Sequence, residues 1–197
     1  HRPHIHRCQL IEKLYENNLF EFGKNSWNHL NIENFSSYKF KNWTPEILKI
    51  IEDVVVYEHV FDTKCLFNLV SESSDLLTFI TEKTFKPIAL SMPFIVIGNP
   101  YILKRLRSLG YKTFDTLWDE SYDEIENNSD RIIAVYEIIK KLILLTNEEW
   151  DVMIEKMIPI LEYNRNHLLS FTKYDVYENS IEKLKKIKWN LQEKKLL

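Results

Sequence analysis

Two short runs of β-branched and aromatic residues, at 67–70 and 94–97, flank a segment rich in hydroxyls and charges, and no other feature constrains the fold as much. Each run is bounded by polar or Pro/Gly residues, the pattern of a strand buried on both faces of a parallel sheet. Between them, Thr81-Glu82-Lys83-Thr84 opens a predicted helix with Phe85, Ile88, Ala89 and Met92 on one side. The stretch 67–98 therefore reads strand, loop, helix, strand. In such units ligands bind beyond the carboxyl ends of the strands, where helix N-termini also point. Glu82 and Lys83 fall at that end. A carboxylate there suits sugar hydroxyls and an ammonium suits phosphate. The competing reading is a solvated first turn in which Glu82 favours the helix dipole, which leaves Lys83 beside it unexplained. Pro87 cannot continue regular helix bonding from Lys83, so a kinked first turn with free amides facing phosphate is expected.

The pattern then repeats. After Asn99-Pro100, residues 101–109 place Leu103, Leu106 and Leu109 at helical spacing, with Lys104, Arg105 and Arg107 on the wet face. Gly110 sits where a left-handed helix cap is wanted, and residues 111–114 return as another short strand. Repetition of strand and helix predicts an α/β fold with a doubly wound, Rossmann-like parallel sheet and helices on both faces. Asp119, Tyr122 and Asp123 follow at the crevice end, as ligand contacts or as turn and capping residues.

From Asp130 onward only helices are predicted. Ile132, Ile133, Val135, Ile139 and Leu142 form one apolar face, and Thr146-Asn147-Glu148-Glu149 is a capping box that starts a second helix, kinked at Pro159, through about Leu169. The tail from about Tyr174 sets Ile181, Leu184, Ile187 and Leu191 opposite many lysines. Such a helix packs its stripe on the domain or makes weak contact with a membrane surface. The division is a nucleotide-binding domain over 1–129 and C-terminal helices over 130–197.

At the other end, His1, Arg2, His4, His6 and Arg7 lead into a helix carrying Leu10, Ile11, Leu14 and Tyr15. Arg2 and Arg7 are placed to meet an anion there, or belong to a solvated basic tail; three histidines so close need a fixed backbone and further ligands to hold a metal. Residues 17–42, around Gly23 and Trp27, read as a long connection. Thr44-Pro45 starts a short helix, and 54–57 fit strand or helix equally. The chain begins at His1 within what reads as a strand-to-helix connection, as expected if an upstream domain is missing.

Length and composition narrow the function. The 197 residues suit one well-buried α/β domain with appended helices. A net charge of -3 without overall basic character argues against nucleic acid as a partner. Cys8 and Cys65, without a CxxC, suggest neither a disulfide scaffold nor structural zinc, and fit a reducing, cytoplasmic compartment. No apolar run approaches the roughly 18 residues that span a bilayer.

The order Phe67, Glu72-Ser73, Ile80-Thr81-Glu82-Lys83, then 93–98 (Pro-Phe-Ile-Val-Ile-Gly) resembles the nucleotide-sugar-binding half of the α-1,3-fucosyltransferase family, and a broader set of viral and bacterial two-domain (GT-B type) glycosyltransferases. Arg7, followed by Leu10-Ile11, Leu14 and Phe22-Gly23, is similar to the Arg-bearing helix that precedes this region in those enzymes. The likeness covers residues 1–122. It implies that Glu82 bonds the donor ribose, that Lys83 and Arg7 meet the diphosphate, and that Glu72 lies near the donor sugar. The chain departs from the family in reading Ser71-Glu72-Ser73 and in having Phe79 where the family has a Tyr, which leaves the base and sugar open. The candidate donor-site residues are Arg7, Glu72, Thr81, Glu82, Lys83 and Thr84. No Asp-x-Asp segment lies beside a strand, so neither a metal nor another cofactor is expected, and no general base is assigned. The expected activity is metal-independent transfer of a sugar from a nucleotide-diphosphate sugar to a glycan or other acceptor. The alternatives are a non-catalytic nucleotide- or phosphosugar-binding module and a helical protein-interaction domain.

Overall fold

The computed structural model describes residues 5–19, 22–23, 65–72, 79–173 and 182. The elements expected over 44–57, most of the 17–42 connection with Trp27, and the tail from 174 lie outside the described residues, Glu182 excepted. Within them the chain is mixed α/β: helix α1 (Ile5–Glu16), strand β1 (Asn68–Ser71), helix α2 (Glu82–Ala89), strand β2 (Phe94–Ile97), helices α3 (Ile102–Ser108), α4 (Asn128–Ile143) and α5 (Asn147–Lys173), and a 3-10 turn over Ser121–Glu124.

The two strands pair in parallel with Asn68 opposite Phe94 and Ser71 opposite Ile97, so both carboxyl ends lie together. β2 is buried throughout, whereas β1 is fully buried only at Val70 and starts one residue later than its apolar run. Parallel neighbours require a crossover, and α2 supplies it. Its inward face is Thr84, Pro87 and Ile88. Ala89, expected on that face, is exposed, because Pro87 takes the inner position and Met92 fills the core only after the helix has ended. α3 buries Ile102, Leu103 and Leu106 and ends at Leu109, with Gly110 at φ +90 as expected of its cap. A Cβ on Gly110 would lie 2.6 Å from His167 Nε2, so the site demands glycine on two counts.

Residues 111–114 form no strand. Their ladder partners are replaced by side chains: Asn164 of α5 accepts from Lys112 N at 2.8 Å and donates to Lys112 O at 2.8 Å, while Glu120 accepts from Phe114 N at 2.8 Å. The described sheet therefore has two strands. Phe114 still enters the core, edge-on to Phe94 at 5.1 Å and stacked on Trp118 at 4.9 Å.

α4 packs on α1 and against β2. Its buried side is Ile132, Val135, Tyr136, Ile138, Ile139 and Leu142; Ile133, expected among them, is 47% exposed because Tyr136 and Ile138 shift the buried arc away from it. Asn127 caps this helix, accepting from Ser129 N and Asp130 N. α5 starts with the expected capping box: Glu149 N donates to Thr146 Oγ1 at 3.2 Å and Thr146 N to Glu149 Oε2 at 2.8 Å. It continues as one helix through Pro159 and packs on α2, with Trp150 stacked on Phe67 at 6.3 Å.

Replacing Asn164 by Ala strands both backbone groups of Lys112. Urea unfolding should show a loss of about 2 kcal/mol, with Asn164→Asp intermediate.

Candidate functional site

The carboxyl end of β1 is where the predicted site residues meet. Strand β1 delivers Glu72 fully buried, its amide bonded to Ile97 O of β2 at 2.8 Å. Gly98 makes this possible: a Cβ there would sit 3.1 Å from Glu72 Cβ and 3.0 Å from Ile102 Cδ1. The Glu72 carboxylate lies at the N-terminus of α2. It accepts from Thr81 N at 3.0 Å, from the Thr81 hydroxyl at 2.5 Å and from the Thr84 hydroxyl at 2.6 Å. Thr81, the N-cap, in turn accepts from Lys83 N at 3.3 Å. A negative group at a helix N-terminus is favoured by the exposed amides and the dipole; here the chain supplies that group itself.

This corrects the expected α2 start. The first turn is not open to a phosphate as expected, since three of its amides are taken: Thr81 N by Glu72, Lys83 N by Thr81 Oγ1 and Thr84 N by Thr81 O. The physical reason is the buried carboxylate, which the sequence pattern placed near the strand end without showing that it would fold back onto the helix. Pro87, whose missing amide motivated the expectation, lies in the buried face farther along.

Arg7 comes to the same strand end from α1. Its Nη2 donates to Ser71 O at 3.1 Å and Glu72 O at 2.9 Å, and its Nε to Ser71 Oγ at 3.3 Å. His6 Nε2 also meets Glu72 O, at 3.0 Å. Arg7 is no solvated tail residue: it is 6% exposed, and burial lowers its pKa while the nearby Glu72 charge opposes that shift. The buried face of α1 runs through His6, Arg7, Cys8, Leu10 and Glu12, whereas Ile11, Leu14 and Tyr15, expected to form it, are only partly covered. Polar groups take the inner positions because the exposed carbonyls at the end of β1 require donors.

Glu82 and Lys83 lie outward of this knot. Lys83 Nζ is 3.0 Å from Glu82 Oε1 and 3.4 Å from Thr81 Oγ1. The Lys83 side chain is 16% exposed and that of Glu82 62%. The hydrogen bond from Lys83 holds the Glu82 carboxyl below its usual range, so it is ionised at neutral pH. Five of the six candidates, Arg7, Glu72, Thr81, Lys83 and Thr84, thus share one connected set of bonds, and Glu82 joins it through Lys83. Ser71 and His6 belong to it as well, and Gly98 abuts it. Sequence reasoning did not single them out as site residues, although Gly98 directly after an apolar strand was a signal of close backbone approach.

A second polar cluster lies on α3. Arg107 Nη1 donates to Glu120 Oε2 at 3.0 Å and Thr113 Oγ1 at 2.9 Å, and Arg107, Asp115, Asp119, Glu120, Ser121 and Glu124 line an open groove of about 340 Å³. Of the residues with two readings here, Asp123 caps α3, accepting from Leu103 N at 2.8 Å and Lys104 N at 2.9 Å. Asp119 closes a turn on Ser121 N at 2.9 Å, a bond that lowers its pKa, and Tyr122 is buried in the core. Burial raises the Glu120 and Asp123 carboxyls. Among the described residues no group of histidine, cysteine and acidic side chains is arranged to hold a metal ion, and no helix is long and apolar enough to cross a membrane.

Two outcomes follow. Glu72→Ala leaves three buried donors without their acceptor and should cost about 3 kcal/mol or more in urea unfolding, while Glu72→Gln, which keeps an acceptor, should cost less. Glu120, whose folded pKa is raised, contributes most stability below its unfolded value and loses that contribution as pH rises through the folded value. The stability of Glu120→Gln relative to wild type should therefore increase as pH rises from about 4, the ordinary glutamate value, until Glu120 has ionised in the folded protein, in parallel urea series.

Comparison of the chain with protein-family models, with curated proteins and with solved structures finds no match in any of the three.

Proposed function

We propose that the chain is the donor-binding part of a metal-independent glycosyltransferase, taking a nucleotide-diphosphate sugar at the carboxyl ends of β1 and β2 and passing the sugar to a glycan or other acceptor. The observation that carries this reading is that Arg7 and Lys83 are both tied to Glu72, one through its carbonyl and the other through Thr81. They stand far apart in the sequence, yet Arg7 bonds Ser71 O and Glu72 O while Lys83 reaches Thr81 Oγ1, itself bonded to Glu72. Two cations at the end of a parallel strand pair suit a diphosphate.

Transfer from a nucleotide sugar develops positive charge on the sugar and negative charge on the leaving diphosphate. In this reading Lys83 and Arg7 stabilise the latter, the task that metals perform in other glycosyltransferases. Glu82, exposed and ionised, accepts from the ribose hydroxyls. Glu72 is occupied with Thr81 and Thr84 and shapes the site from beneath. The fold belonging to this proposal is a Rossmann-like sheet with helices on both faces over 1–129, the remaining helices packing on it, and a likeness to the α-1,3-fucosyltransferases.

Calorimetry with GDP, UDP, CDP and dTDP tests it. One of them should bind, and Lys83→Ala should weaken that binding about tenfold, equivalent to about 1.4 kcal/mol, with Glu82→Ala weakening it less. If all four fail to bind, or Lys83→Ala binds as wild type does, the donor reading is wrong.

A further inference from the structure

The Thr81 hydroxyl has three polar neighbours, and their chemistry dictates its orientation. A threonine hydroxyl has one proton to donate and two lone pairs. Glu72 Oε2, at 2.5 Å, belongs to a carboxylate, which when ionised only accepts. The other two, Lys83 N at 3.3 Å and Lys83 Nζ at 3.4 Å, only donate. The single proton must therefore point into the protein toward Glu72, and both lone pairs outward toward Lys83. Thr84 Oγ1 also donates to Glu72, at 2.6 Å, but does not reach Lys83; unlike Thr81 it neither caps α2 nor gives its amide to Glu72.

We propose that Glu72 and Thr81 are positioning residues for Lys83: the buried carboxylate sets the direction of the Thr81 hydroxyl, and the outward lone pairs hold the Lys83 ammonium at the end of the strand pair. As far as it concerns a ligand, this rests on the donor-site reading above. The positioning itself does not. The arrangement explains why a lysine in the first turn of a helix, where the dipole disfavours it, lies back on the helix start with only 16% of its side chain exposed. Glu82 Oε1, at 3.0 Å, offsets the same charge from the solvent side.

The test uses Thr81→Val, which keeps the shape and removes the hydroxyl, with Thr81→Ser as the rescue and Thr84→Val as the control that removes an equally buried bond to Glu72. Amine reactivity is read by pulsed reductive methylation and mass spectrometry, with folding checked by circular dichroism. Lys83 should be methylated several-fold faster in Thr81→Val than in wild type, Thr81→Ser and Thr84→Val, with the other lysines unchanged. Should Thr81→Val not fold, Glu72→Gln replaces it with the same expectation of faster labelling. Labelling of Lys83 that is unchanged, or raised equally by Thr84→Val, overturns the proposal; so does faster amide exchange at Thr84 and Phe85 in Thr81→Val, since fraying of the helix start after loss of the cap on Lys83 N would then account for the labelling. Affinity for GDP, UDP, CDP and dTDP is measured in the same set and in the Lys83→Ala background. Thr81→Val should weaken binding only where Lys83 is present. Faster labelling with no binding of any of the four nucleotides by wild type keeps the positioning and removes the diphosphate as its purpose.

Discussion

The buried carboxylate of Glu72 is the constraint on which the rest of the described structure depends. A fully buried carboxylate is costly unless its oxygens are bonded, and the chain answers with donors from the start of α2, the Thr81 amide and the two threonine hydroxyls. That requirement draws α2 back across the end of β1. The Glu72 carbonyl makes a second demand, met from α1 by His6 and Arg7. One residue thus ties together a strand, the crossover helix and a helix from far earlier in the chain. Gly98 completes the arrangement, because only a residue without a side chain lets β2 end so close to Glu72.

Two consequences for binding chemistry follow. The N-terminus of α2 already carries an anion of its own, so an incoming phosphate meets side chains rather than the helix amides. The cations gathered at that point are Lys83 and Arg7, with the Glu82 carboxylate 3.0 Å from Lys83 Nζ. A cation and a carboxylate on adjacent residues, one held back and the other exposed, form a bifunctional surface. This pairing of phosphate and hydroxyl recognition is what a nucleotide-diphosphate sugar presents, and it is why the donor-site reading follows more naturally than a simple anion site. The groove near Arg107 is organised differently: its arginine is turned onto Glu120 and Thr113, and the neighbouring Asp123 is committed to capping α3.

What the sequence reveals and conceals divides along the range of the interactions. The extent of β2, the start of α2 at Thr81-Glu82, the Thr146–Glu149 capping box and the left-handed Gly110 depend on residues within a few positions of one another, and all were readable. The strand expected over 111–114 failed because its partners come from Asn164 and Glu120, and no local pattern announces that a side chain will replace a ladder. The inner face of α1 was misjudged for the same reason. Apolar spacing pointed to Ile11, Leu14 and Tyr15, while carbonyls at the end of a strand some sixty residues later, separated from Arg7 by 64 and 65 positions, called for His6 and Arg7. The site residues were named from their types, and how they engage one another required the fold.

The central claim is that the ligand-facing chemistry of this chain is gathered at the β1–α2 junction around Glu72, Thr81 and Lys83. Titrating the isotopically labelled protein with a nucleoside diphosphate while following its amide resonances tests this most directly. The account predicts shifts concentrated at Arg7, Glu72, the first turn of α2 and Gly98-Asn99. Shifts centred instead on Arg107 and residues 115–124, or none at saturating ligand, would contradict it.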